Sequence, residues 1–218
     1  MRATAPALAA ACALAAATLA SAAPPAAPAT ITIGKQVWLA RNLAVTSFRN
    51  GDPIPRIADE VAWGAAGRAG RPAQSAYGND EGRVARDGLL YNYAAIRDPR
   101  GLCPQGFRIP TDADWNALEA NLGPARAATR LKSRSGWPKT ESGASGNGSD
   151  DTGFGGLPAG FRTQRGEFFL GGKVAYFWSQ TERSANTTTA HMLLDYDPKL
   201  FRIEYDKAMG MSVRCLKA

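Results

Sequence analysis

The chain has 218 residues, 26 Lys and Arg against 19 Asp and Glu, a formal charge of +7 and a single His. That length suits one domain with a full core and is short for two. A modest positive excess favours anionic partners such as acidic polysaccharide, phospholipid headgroups or nucleic acid, but the basic residues are scattered with no run of them, which speaks for a solvated, mildly basic surface and against nucleic-acid binding.

Residues 1–30, "MRATAPALAAACALAAATLASAAPPAAPAT", carry one basic residue (Arg2), no acid and an Ala/Leu core from Ala7 to Ala20. Ala20-Ser21-Ala22 is a small-x-small cleavage signal, so residues 1–22 read as a secretory signal peptide and 23–30 as a Pro/Ala-rich spacer. The apolar run is too short and too alanine-rich for a spanning helix, and no later stretch comes close. The expectation is an exported chain, periplasmic, surface-displayed or extracellular, with one domain over 31–218. Cys12 has too few residues before it for a normal lipoprotein leader.

"ITIGKQVWLARNLAV" alternates on both sides of Gly34-Lys35, which predicts a hairpin with Gly at the first turn position. After "NGDPIP" comes Glu60 to Gly88, rich in Gly, Ala and Arg, without clear period and holding Trp63 and Tyr77. It reads as long loop. "LLYNYAAI" (Leu89 to Ile96) is an apolar run that periodicity assigns to neither strand nor helix.

"GFRIPTDADWNAL" predicts a helix start. Pro110 cannot continue a helix backwards, Thr111 is a good N-cap, and Asp114 three residues on is a weaker form of the Glu/Gln capping box. Asp112 and Asp114 lie where the helix dipole welcomes anions. Trp115, Leu118 and Leu122 form one stripe, and Gly123-Pro124 ends the helix. Capping accounts for both acids, which face different directions from positions two apart.

"SRSGWPKTESGASGNGSDDTGFGG" predicts a second long loop, with Trp137 near its start. Its glycines follow no strand and open no helix, so they fail the test for a phosphate cradle. From Gly156 the pattern is strand-like: "GLPAGFR", then "GEFFLGGKVAYFWSQTE" as two aromatic arms around Gly171-Gly172, then "HMLLDYD", "FRIEYD" and "MSVRCLK". "FRIEYD" alternates as a half-buried strand, and in the last segment Met211, Val213 and Cys215 share a face. The sum is an α+β arrangement of mostly antiparallel strands, one or two helices and long irregular loops.

With Cys12 removed, Cys103 and Cys215 remain. In an oxidising compartment a lone pair most simply forms one bridge, worth about 4–5 kcal/mol at that loop length in the entropic account. The competing reading is a reactive or metal-bound thiol, against which stand the lack of Cys-x-x-Cys and the remoteness of His191.

"IGKQVWLARNL", "LLYNYAA", "LCPQGFRIPTDADWNAL", "FGGLPAGFR", "YFWSQTE" and "GMSVRCLK", in that order from Ile33 to Lys217, resemble the Fibrobacter succinogenes major paralogous domain (FISUMP). The resemblance implies an exported or surface-displayed bacterial domain and cysteines at positions 103 and 215. The helix motif is also similar to the arginine-leucine-proline-threonine-glutamate segment of sulfatase-modifying, formylglycine-generating proteins, which implies a C-type-lectin-like fold. It supplies no reaction. Formylglycine-type oxidation needs a redox-active cysteine pair. The calcium-dependent lectin motifs, Glu-Pro-Asn or Gln-Pro-Asp with a later Trp-Asn-Asp, are absent.

The functional expectation is a non-catalytic binding module for glycan, envelope polymer or a protein partner. Trp63, Tyr77, Trp137 and Trp178 are the candidate ligand contacts, since flat aromatic faces bordered by amides and carboxylates suit sugar rings. An adhesive surface component without a discrete pocket is the alternative. A glycan-acting enzyme ranks third: no nucleophile elbow, Ser/His/Asp order, metal-ligand spacing or nucleotide loop is present, although Asp195 and Asp197 share a face with His191 if their strand is regular. No cofactor and no metal is expected. Asn79-Asp80-Glu81 and Ser149-Asp150-Asp151 offer oxygen ligands of the kind calcium prefers, but read as polar loops.

Overall fold

The computed structural model describes Met1 and residues 27–218. The expected signal peptide over residues 1–22, with Cys12, lies outside the described residues save Met1. The domain begins with the predicted hairpin: β1 (Thr30–Ile33) pairs antiparallel with β2 (Gln36–Leu39) from Thr30↔Leu39 to Ile33↔Gln36. Gly34 turns the chain at φ +59°, where a side chain is both strained and obstructed by Asn121.

The stretch expected as loop from Glu60 contains a helix, α1 (Glu60–Arg68), capped by Asp59, whose Oδ1 accepts from the Ala62 amide. Gly64 and Gly67 hid it by lowering its intrinsic helix preference. Packing explains both glycines. A Cβ on Gly67 would lie 2.3 Å from the Ala208 Cβ, and one on Gly64 would lie 3.0 Å from the Gln164 carbonyl oxygen. Close approach to neighbours thus outweighs the propensity cost, and Trp63, Gly64 and Ala66 are buried. The same stretch holds β3 (Gln74–Ser75), two short 3-10 turns and α2 (Val84–Asp87).

Asn92 resolves the ambiguous apolar run. β4 (Leu90–Tyr91) precedes it and α3 (Tyr93–Arg97) follows, because the Asn92 side chain caps the helix at the Ala95 amide and also accepts from the Ala73 amide. After β5 (Phe107–Arg108), α4 (Asp112–Leu122) starts as predicted. Both capping-box bonds form between Thr111 and Asp114, and Trp115, Leu118 and Leu122 are buried. Gly123, at φ +82°, ends it. A 3-10 turn leads to α5 (Ala127–Leu131).

The strand-rich half comprises β6 (Phe161–Arg162), β7 (Phe168–Phe169), β8 (Val174–Glu182), β9 (Thr187–Leu194), β10 (Phe201–Asp206) and β11 (Leu216–Lys217). Every named pairing is antiparallel. One sheet runs β1-β2-β11-β5, a second runs β10-β9-β8, and β3-β4 and β6-β7 are two-stranded. The arms flanking Gly171-Gly172 do not pair with each other: β7 pairs with β6 and β8 with β9. β10 alternates half-buried with exposed residues along its whole length, as its sequence predicts.

The last segment differs from the predicted regular strand. Residues 211–216 are buried without alternation, because Met211 bonds to Tyr91 on one side while Ser212 bonds to Tyr176 and Trp178 on the other. The chain's end is therefore a central staple, and Cys215 within it bonds covalently to Cys103, with Cα atoms 6.0 Å apart across 112 positions. The chain is thus α+β with antiparallel sheets. Among the described residues two helices, α1 and α4, exceed eight residues, and three shorter ones add to the one or two expected. No helix among the described residues is long and apolar enough to cross a membrane.

Candidate functional site

The structure removes three of the four aromatic residues expected at a ligand. Trp63, Trp137 and Trp178 are buried, and each indole N–H donates to a backbone carbonyl: Ala208 at 3.0 Å, Gly156 at 2.9 Å and Tyr91 at 2.7 Å respectively. A ring whose edge is bonded inward and whose faces are packed presents nothing to a sugar. Trp63 stacks against Arg162, Lys132 lies over Trp137, and Tyr93 meets Trp178 edge-on. Tyr77 is half-buried. Its hydroxyl accepts from the Gly171 amide, its ring meets Phe168 edge-on, and Arg83 covers it at 4.6 Å. These side chains are committed to packing within the fold.

The loop acids are also committed. Asp80 caps a turn at Gly82, Glu81 pairs with Arg56, Asp150 accepts from the Gly155 amide and Asp151 pairs with Arg130. Among the described residues no three His, Cys, Asp or Glu side chains gather as a metal site would need. β9 ends at Leu194, so Asp195 and Asp197 lie beyond the strand that carries His191.

His191 turns instead to Asp112, a relationship the sequence did not disclose because the two are 79 positions apart. The Asp112 carboxylate meets Arg183 Nη2 at 2.7 Å, His191 Nε2 at 3.3 Å and Arg202 Nη1 at 3.8 Å. Trp115 stacks on the imidazole with ring centroids 4.9 Å apart. Burial works against ionisation of Asp112, yet the hydrogen bond from His191 and other polar neighbours outweigh it and hold the carboxyl below its ordinary range. Burial also lowers His191, against the pull of Asp112. The imidazole is consequently neutral at pH 7, and the positive charge nearest Asp112 is that of Arg183. A cavity of about 250 Å³ beside this group is lined by Arg183, Thr189, Arg202, Ile203 and Glu204, and neither Asp112 nor His191 reaches its wall. The cluster ties α4 to β9 and offers no acid–base pair to a substrate.

A larger concave feature lies elsewhere. A cleft of about 810 Å³ opens where the end of α1, α3, the β6–β7 turn, the β8–β9 turn and the end of β10 converge. Gly67 lets α1 sit against Ala208, which closes one wall. Arg162 holds the approach to α1, donating to the carbonyls of Ile57, Ala58 and Asp59 while its Nε bonds to Gly166. Lys207 braces the β8–β9 turn by donating to the carbonyls of Ser184 and Ala185, and its ammonium lies 5.3 Å from the centre of the Tyr93 ring. Glu182 is shared by Arg97 at 3.4 Å and Lys207 at 3.3 Å. The amides of Gln164 and Asn186 are exposed at the rim. Guanidinium, amide and carboxylate groups around a floor of Gly, Ala and Tyr provide directional polar recognition with no assembled nucleophile.

No curated protein and no solved structure matches the chain. The family model of the Fibrobacter succinogenes major domain matches residues 31–217, from the first strand to the last. The chain belongs to the Fibrobacter succinogenes major domain family.

Proposed function

We propose that this chain is an exported, non-catalytic binding module of C-type-lectin-like fold, and that its ligand is a glycan or another envelope polymer held in the cleft between α1, α3 and the β8–β9 turn. The observation that carries this reading is the cleft itself, whose volume of about 810 Å³ falls in the range that binding sites occupy. Its rim of Arg, Gln, Asn and Glu suits hydroxyl-rich ligands. The leader-like N-terminal sequence favours an extracytoplasmic partner. A non-catalytic role is favoured because the closest acid–base pair, Asp112 with His191, is buried in a structural contact.

The test is retention of the mature protein on a polysaccharide array, compared with a variant whose cleft is filled by Ala185→Trp. Ala185 is an exposed turn residue lining the cleft, so the variant keeps the fold. Loss of retention with an unchanged melting temperature supports the reading. Equal retention by both proteins moves the function to a broad adhesive surface.

A further inference from the structure

We infer that the cleft's ligand is anionic, an acidic polysaccharide whose carboxylate or sulfate groups are taken by Arg68 and Arg165. This rests on the cleft reading above and specifies its chemistry.

The two arginines are brought together by a backbone contact. α1 has Gly at position 64, and the turn between β6 and β7 lies directly on it. A Cβ built at Gly64 would sit 3.0 Å from the Gln164 carbonyl oxygen, 3.1 Å from Arg68 Nη1 and 3.8 Å from the Arg165 Cα. Arg68 and Arg165 therefore share one rim of the cleft, both exposed.

Their charges are unspent. Elsewhere in the cleft, cations are matched: Arg97 and Lys207 both pair with Glu182. Asp98 is occupied from outside the cleft lining by Arg100, through two bonds of 2.8 Å. Asp206 accepts from the Ala208 amide and, among the described residues, makes no ion pair. Among the described residues, no carboxylate lies within ion-pair distance of Arg68 or Arg165. An anion at this rim would receive planar, paired N–H donors from guanidiniums whose charge no carboxylate offsets. Arg68 also sits in the last turn of α1, where the helix dipole favours a cation and holds it in place. A polymer of repeated acidic units, bordered by hydroxyls for the Gln164 and Asn186 amides, satisfies both halves of the rim.

The experiment measures retention of the full mature chain on three immobilised polymers: polygalacturonate, a sulfated galactan, and methyl-esterified polygalacturonate. The first two distinguish carboxylate from sulfate, and the third is the uncharged control. The double variant Arg68→Gln/Arg165→Gln is compared with Arg126→Gln/Lys199→Gln, which removes the same charge at exposed positions outside the cleft. The expected result is binding to at least one anionic polymer, weakened about tenfold or more by the cleft pair and little by the control pair, as loss of two charge-assisted contacts requires. Added salt should weaken the wild-type complex. Equal loss in both double variants would reduce the effect to net charge and overturn the inference. Equal binding to the esterified and free polymers would overturn it too, while leaving the cleft reading intact if Ala185→Trp still abolishes retention. Binding to none of the three, with a different neutral glycan retained by the wild type and lost in Ala185→Trp, would likewise sink the anionic assignment alone.

Discussion

The guanidinium of Arg162 lies 4.4 Å over the ring of Trp63, although the two are almost a hundred positions apart. Phe168 covers it at 4.6 Å, and its N–H groups donate to backbone carbonyls on two separate segments. Among the described residues no carboxylate pairs with this buried cation, which is held by carbonyl dipoles and ring faces instead. Burial lowers its pKa to about 10, which still leaves it charged at neutral pH.

Arg162→Met should therefore cost about 3 kcal/mol, since it removes at once the donor to the buried Gly166 carbonyl and the part-buried bonds to Ile57, Ala58 and Asp59. Trp63→Ala should cost a comparable 3–5 kcal/mol or so by leaving a cavity. Urea denaturation measures both. Loss of under about 1 kcal/mol in either case would show that the pair does not anchor α1.

Stability should decline with acid in two steps. His191 has a folded-state pKa below its ordinary 6.5 because it is buried. The unfolded chain therefore takes up that proton first, and stability is lost as pH falls below about 6.5. Asp114, held at about 2 against an ordinary 3.8 by Arg108 and Thr111 despite its burial, adds stability that is present above 3.8 and lost toward pH 2. Asp112 is lowered as well and contributes in the same direction. Melting temperatures measured across pH should show both steps. His191→Gln should flatten the upper one and Asp114→Asn should shrink the lower. An unchanged upper step in His191→Gln would refute the assignment.

Thr111→Ala removes the N-cap of α4 and should destabilise by about 1–2 kcal/mol. Asp114 keeps its bidentate contact with Arg108 in this variant, at 2.6 and 2.8 Å, so the loss should stay within that range. Chemical denaturation reads it directly.

The cysteine pair should be found joined in protein recovered from an exported fraction, by mass spectrometry under non-reducing conditions. Cys103→Ser/Cys215→Ser should lose about 2–5 kcal/mol. Free thiols in that fraction would contradict the bridge.

Local signals were legible in the sequence, and distant ones were not. The Gly34-Lys35 hairpin, the Thr111/Asp114 cap and the alternation of β10 each depend on neighbours within a few residues, and each was readable. α1 was not, because its glycines answer to Ala208 and Gln164, far along the chain. The burial of the candidate tryptophans was hidden for the same reason: nothing local shows that an indole N–H will reach the carbonyl of Ala208, Gly156 or Tyr91. The cleft was equally hidden. Its walls come from five segments, and its residues are ordinary Arg, Gln, Asn and Gly whose meaning lies in where the chain brings them.

The central claim is that this cleft is where the molecule meets its ligand, and an NMR titration tests it most directly. Amide shifts of the labelled mature chain, followed on adding oligogalacturonate, should change most at Arg68, Arg97, Arg165, Asn186 and Lys207. Shifts gathered at another face, around the exposed Tyr196 for example, would contradict it.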